Sequence, residues 1–83
     1  MDILKYPIST EKAIRMIESD NVITFVVDMN ATRSMVKKEI EDRFKVKVKD
    51  LRVVISQKGK KKVYVKLEKD YPAIDIATQL GLM

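Results

Sequence analysis

The stretch DLRVVISQKGKKKVYVKLEK, residues 50–69, decides the fold. Leu51, Val53 and Ile55 keep a period of two, Gln57-Lys58-Gly59-Lys60 breaks it, and Val63, Val65 and Leu67 resume it. Two alternating runs around a short polar break, with a glycine available for positive φ, predict a β-hairpin. Strands are expected at about 50–56 and from Lys62 to Lys69, with Tyr64, Lys66 and Glu68 turned away from the core. Just upstream, Val46 and Val48 alternate with Lys45, Lys47 and Lys49, but the phase changes at Asp50. A shift of one residue inverts the buried face. Residues 46–49 are therefore expected to form an extended connector or a bulged lead-in to the strand.

Working outward, Val36, Ile40 and Phe44 recur at helical spacing, with Met35 beside them, and predict a helix over 32–44. Thr32 is its expected N-cap. Val22 to Asp28 is β-branched and aromatic, apolar on both faces, and reads as a strand covered on each side. Ser9 or Thr10 is a plausible cap for a short helix at about 10–18, with Ala13, Ile14 and Ile17 on its apolar face and Ser19-Asp20-Asn21 as a turn. Tyr71-Pro72 starts a last helix, whose stripe is read as Ile74, Ala77 and Leu80 with Ile76 beside it, ending at Gly81.

The expected order is α-β-α-β-β-α. A helix joins the first two long strands, so a right-handed crossover makes them parallel, and the hairpin partner can lie between them, antiparallel to both. Ile3-Leu4-Lys5 could add an edge strand. The fold class is α+β: a small three- to four-stranded, mainly antiparallel sheet packed with helices, as one domain over residues 1–83.

Composition narrows the chemistry. The 83 residues contain no Cys and no His, which removes disulfides, thiolate nucleophiles, imidazole bases and zinc sites built on those ligands. The acids show no Ca²⁺-loop spacing, and there is no glycine-rich phosphate loop or nucleophile elbow. Neither an enzyme nor a cofactor or small-molecule substrate is expected. No apolar run approaches the roughly 18 residues that span a bilayer, and residues 1–9 lack a signal-peptide core, so a cytoplasmic protein without membrane insertion is expected.

Charge is unevenly spread. Residues 33–69 carry fourteen Lys and Arg against five acids, whereas residues 1–32 and 70–83 are each net −2. A basic half of this kind is the footprint of a phosphate-backbone binder. Lys58, Lys60, Lys61 and Lys62 crowd the hairpin, where ammonium groups can displace counterions from a nucleic acid or keep a sheet edge soluble. Tyr64, between Lys62 and Lys66, either stacks on an unpaired base or packs across the sheet. Arg33 and Lys37 share a helix face that either meets phosphate or pairs with Glu41 and Asp42.

Three segments resemble one family. Pro7-Ile8-Ser9-Thr10-Glu11-Lys12-Ala13 is similar to a Pro-x-x-Thr/Ser-Glu-Lys opening. Phe25-Val26-Val27-Asp28 followed by Ala31-Thr32-Arg33 and Lys37 is similar to a strand, an Asp and an Ala-Thr/Asn-Lys helix start. Lys61-Lys62-Val63-Tyr64-Val65-Lys66-Leu67-Glu68, then seven residues to Ile76, resembles Lys-Lys-Ala-Tyr-Val-x-Leu and its later hydrophobic position. Together they resemble the universal large-subunit ribosomal protein twenty-three family in its short archaeal form. Val63 stands for the usual Ala and Arg33 for the usual Lys. The hairpin at 56–62 is short where bacterial members carry a long tunnel loop, and no basic N-terminal extension of the eukaryotic kind is expected.

The resemblance implies a structural protein of the large subunit that binds large-subunit rRNA beside the polypeptide exit tunnel, among neighbouring large-subunit proteins. It also implies a docking surface for signal recognition particle, nascent-chain chaperones and the translocon. On that basis Lys12, Thr32, Arg33, Lys37, Lys58, Lys60, Lys61, Lys62 and Tyr64 are expected to meet RNA. Glu11 is expected to meet factors, or to serve only as a first-turn carboxylate on the helix dipole. The alternatives are a free-standing single-stranded RNA-binding module, which ordinarily shows two or three aromatics on an open sheet face, and an acylphosphatase-like hydrolase supported by fold analogy alone.

Overall fold

A computed structural model describes residues 3–82. Chain order is β1 (Leu4–Pro7), α1 (Glu11–Asp20), β2 (Val22–Val27), α2 (Arg33–Phe44), β3 (Val48–Ile55), β4 (Lys61–Leu67) and α3 (Ala73–Gln79). The segment marked as a possible edge strand is one, so the order gains an N-terminal β. The four strands form one sheet in the order β1-β2-β4-β3, with every neighbouring pair antiparallel. β4 sits between β2 and β3, the placement that the crossover argument allows.

The two central strands hold the core because alternation gives them an apolar face. Ile23, Phe25, Val63, Val65 and Leu67 are at most 2% exposed, and Ile17, Val36, Ile40, Ile76 and Ala77 from the three helices pack into the same cluster. Burying each larger apolar side chain contributes roughly 1.5–3 kcal/mol. Phe44 closes one side, its ring stacked 6.1 Å from that of Phe25. All six residues of β2 are buried, including Val22, Thr24 and Val26 on the other face.

The phase change at Asp50 is a bulge inside β3, which starts at Val48 rather than at about residue 50. The β3–β4 register shifts between Val48 and Asp50, so Val48 and Leu51, three positions apart, both point inward. An inserted residue is what lets a strand reverse its alternation without leaving the ladder.

The helix caps follow the sequence. Thr10 and Thr32 accept hydrogen bonds from the backbone N–H groups of Ala13 and Met35, each at 3.2 Å. Both helices end in a left-handed residue, Asn21 at φ 58° and Lys45 at φ 56°. Asn tolerates that region, whereas a lysine there is strained. The stripe read for the last helix needs correction. Ala73, Ile76 and Ala77 are buried with Leu80 beside them, while Ile74 is 44% exposed. The buried set obeys i, i+3, i+4, i+7, and Ile74 lies one residue, about 100°, off that line.

Asn21 does more than end α1. Its Nδ2 donates to the carbonyls of Leu67, Glu68 and Tyr71 at 3.2, 3.3 and 3.1 Å, and its Oδ1 accepts from Ala73 N–H at 2.6 Å. One amide thus fastens the α1–β2 turn to the β4–α3 connection.

Candidate nucleic-acid interface

The sheet has a helix-covered face and an outer face, and strand parity decides which side chains reach the latter. Across it the register sets Tyr6 against Val26, Val26 against Lys62 and Lys62 against Val54 in one row. The next row is Thr24, Tyr64 and Arg52, and the one after is Val22, Lys66 and Asp50. Lysine, tyrosine and arginine therefore share one face without any local cluster in the sequence.

Two adjoining open clefts give this face its relief. The first, about 250 Å³, lies between the start of α1 and the sheet, with Thr10, Lys12, Met16, Lys62 and Tyr64 on its walls. The second, about 500 Å³, runs towards the hairpin between Tyr6, Val26, Lys58, Lys60 and Lys62. Ile8 and Lys62 line both, so the two make one basic trough. Tyr64 is half-buried rather than fully exposed. Lys60 Nζ donates to the Tyr6 hydroxyl at 3.1 Å and lies 5.8 Å from the ring centre. Those two distances put the ammonium beyond the hydroxyl end of the ring, so the ring face stays free.

Five expected RNA contacts, Lys12, Lys58, Lys60, Lys62 and Tyr64, thus come together. The other four do not join them. Lys61 points to the opposite face, where its ammonium donates to the carbonyls of Ala31 and Met29 and props the β2–α2 loop. Thr32 caps α2. Arg33 donates to the Leu51 carbonyl and, with Lys37, Ser34 and Lys49, lines a separate basic groove of about 210 Å³ between α2 and β3. Glu11 sits in the first turn of α1 and pairs with Arg15 at 3.0 Å, both side chains well exposed.

Sequence reasoning missed three residues on the outer face. Tyr6 was hidden because the possible edge strand was read as ending at Lys5, and continuation to Pro7 brings the ring onto the trough. Arg52 looked like one polar residue in an alternating run, but the register puts it directly across from Tyr64. Thr24, on the other flank of Tyr64, is 2% exposed, and its Oγ1 has no hydrogen-bond partner among the described residues. No sequence signal marks that hydroxyl. Among the described residues no cluster of acids could hold a metal ion, and no helix is long and apolar enough to cross a membrane.

Comparison with known proteins shows the family of the chain. The family profile described as ribosomal protein L23 matches residues 2–75. A large ribosomal subunit protein uL23 from Methanococcus aeolicus is 43% identical over 81 residues, covering 98% of this chain and 94% of the relative. The protein of the same name from Thermoplasma acidophilum is 48% identical over 81 residues, covering 98% and 95%. With the matched residues running through all four strands, the chain belongs to the ribosomal protein L23 family.

Proposed function

We propose that this protein binds large-subunit rRNA through its outer sheet face, beside the polypeptide exit tunnel, and offers the exposed start of α1 to nascent-chain factors. Its family is one of structural large-subunit proteins rather than enzymes. The observation that carries the RNA reading is the basic trough, in which Lys12, Lys58, Lys60 and Lys62 surround Tyr6 and Tyr64. Ammonium groups along a groove follow a phosphate backbone, and exposed rings receive unstacked bases. Neighbouring large-subunit proteins, signal recognition particle, chaperones and the translocon are the proposed protein partners. Glu11 and the α1 surface around it are the proposed factor contact.

Binding of the purified protein to a folded fragment of large-subunit RNA from the exit-tunnel region, against a scrambled RNA at two salt concentrations, tests the RNA reading. Preference for the native fragment that persists at higher salt supports it. Equal binding to both, lost together with salt, reduces the trough to a generic polyanion surface. Tyr6 lies on the same sheet face as Tyr64, with β2 between them and one row apart, and gives the free-standing module a second aromatic; tighter binding to unstructured oligonucleotides than to the folded fragment would favour that reading instead.

A further inference from the structure

β3 is an edge strand, paired with β4 on one side only. In an antiparallel ladder, alternate residues turn both backbone groups towards the neighbour and the others turn both away. Ser56 N–H donates to the Lys60 carbonyl at 2.8 Å, so Ser56, Val54 and Arg52 face β4. Leu51, Val53 and Ile55 therefore face outward. An exposed row of such groups is a template for another strand.

Half of this row is closed by the chain's own side chains. Glu41 accepts from Val48 N–H at 3.0 Å, Asp50 accepts from Leu51 N–H at 2.8 Å, and Arg33 donates to the Leu51 carbonyl. The other half is open. No hydrogen bond among the described residues reaches the outward N–H and C=O of Val53 or Ile55. This stretch also carries surplus apolar surface, with Val54 40% and Ile55 59% exposed. Edge strands are ordinarily blunted by charge, proline or cover, and Val53-Val54-Ile55 has none of these.

We propose that the free edge at Val53–Ile55 is a docking site for an extended, acidic segment of a partner protein, which adds to the sheet as a fifth strand. Alternating donors and acceptors with apolar side chains on both faces suit a peptide backbone. The charge around the edge selects the sign of the peptide. Arg52 and Lys58 flank it, Lys37 and Lys49 line the adjoining groove at Val48–Leu51, and none of the four has an ion-pair partner among the described residues, whereas Glu41 and Asp50 are spent on backbone N–H groups and Glu39 on Arg43. A second copy of this chain is a poor occupant. Antiparallel pairing of two β3 edges sets the lysine turn of each copy towards Lys49 and Arg52 of the other, and like charges across such a pair destabilise it. The inference does not depend on the RNA reading.

The test uses the whole chain and a seven-residue peptide alternating Glu with Val and Ile, with a Lys-for-Glu version as control. Amide exchange and chemical shifts of Val53, Val54 and Ile55 are followed during titration. Expected is a gain in protection of about tenfold or more at Val53 and Ile55 with the acidic peptide, little change at Val54, and no effect of the control. Ile55→Pro removes one outward donor without touching the β4 ladder and should weaken binding by about tenfold or more. Should that variant not fold, Ile55→Glu keeps the backbone and repels the peptide. Unchanged amides, protection by RNA in place of the peptide, or protection that rises with protein concentration alone overturns the proposal.

Discussion

The two ends of the sheet are built on opposite principles. At the Asn21 end, four backbone groups from the β4–α3 connection converge on one side chain, and Leu67 N–H and Glu68 N–H find the carbonyls of Asn21 and Lys47 at 3.2 and 2.9 Å. At the hairpin end, Gln57, Lys58, Gly59 and Lys60 are all exposed, held by three hydrogen bonds between Ser56 and residues 59–60. One end has its polar groups satisfied internally. The other leaves cations and ring faces for something outside the chain. Stability and binding are thus carried by different residues, and substitutions should separate them.

The largest effect is expected at the closed end. Asn21→Ala removes every bond of the amide and puts alanine, which lacks asparagine's tolerance of the left-handed region, at φ 58°, for a loss of about 3 kcal/mol. Urea unfolding measures it. Asn21→Gly keeps the backbone conformation and should recover about 1 kcal/mol of that loss. If the two variants are equally damaged, the amide alone is the fastener. If glycine restores full stability, the hydrogen bonds contribute nothing and the comparison fails.

Next in size is the open end. Replacing Lys58, Lys60 and Lys62 together by Ala should weaken binding to the folded RNA fragment by about 10- to 100-fold and flatten its salt dependence by up to about three contacts. Thermal stability should fall by no more than about 1 kcal/mol, since Lys58 and Lys60 are exposed and Lys62 is half-buried. The same change at Lys61 should do the reverse, with little effect on RNA and a measurable loss of stability, because its ammonium supports the Ala31 and Met29 carbonyls. Native-state amide exchange gives the third expectation. Amides at 57–60 should exchange much faster than those of β2 and β4, since few buried contacts hold them. Strong protection there in the free protein would make the hairpin as rigid as the Asn21 end.

The contrast between the ends also explains what the sequence could reveal. Element order, the central place of β4, the phase change at Asp50 and the Thr32 cap were legible, because each follows from periodicity or from a local side-chain bond; the first cap stayed open between Ser9 and Thr10. The RNA face was half legible. Lysines adjacent in sequence were read as one cluster, yet a strand sends Lys61 to one face and Lys60 and Lys62 to the other. Tyr6 and Arg52 became visible only through register with strands far away in the chain. The Asn21 hub was read as a turn residue, since nothing local shows that its amide spans 46 to 52 positions. The fault at Ile74 was one of phase, where a short helix offers two apolar lines and the tertiary contact chooses between them.

The ends of α2 and α1 give the two smallest effects. Lys45 caps α2 at φ 56° with an ordinary side chain, and Lys45→Gly should raise stability by about 1 kcal/mol in the same urea experiment. α1 joins the two regimes: its last turn leads into Asn21, while its first carries Glu11 over open solvent. The Glu11–Arg15 pair is an i,i+4 contact between side chains 84% and 77% exposed, so pairing and dipole together contribute no more than about 0.5 kcal/mol. Glu11→Gln should therefore leave stability nearly unchanged. If Glu11 is a factor contact, the same substitution should still weaken binding of signal recognition particle to particles carrying this protein, by about fivefold or more for a lost charge-assisted hydrogen bond. A variant that binds the factor normally would assign Glu11 to the helix alone and move the docking surface elsewhere on α1. A variant that loses several kcal/mol of stability would instead show that the open start of α1 belongs with the closed end of the molecule.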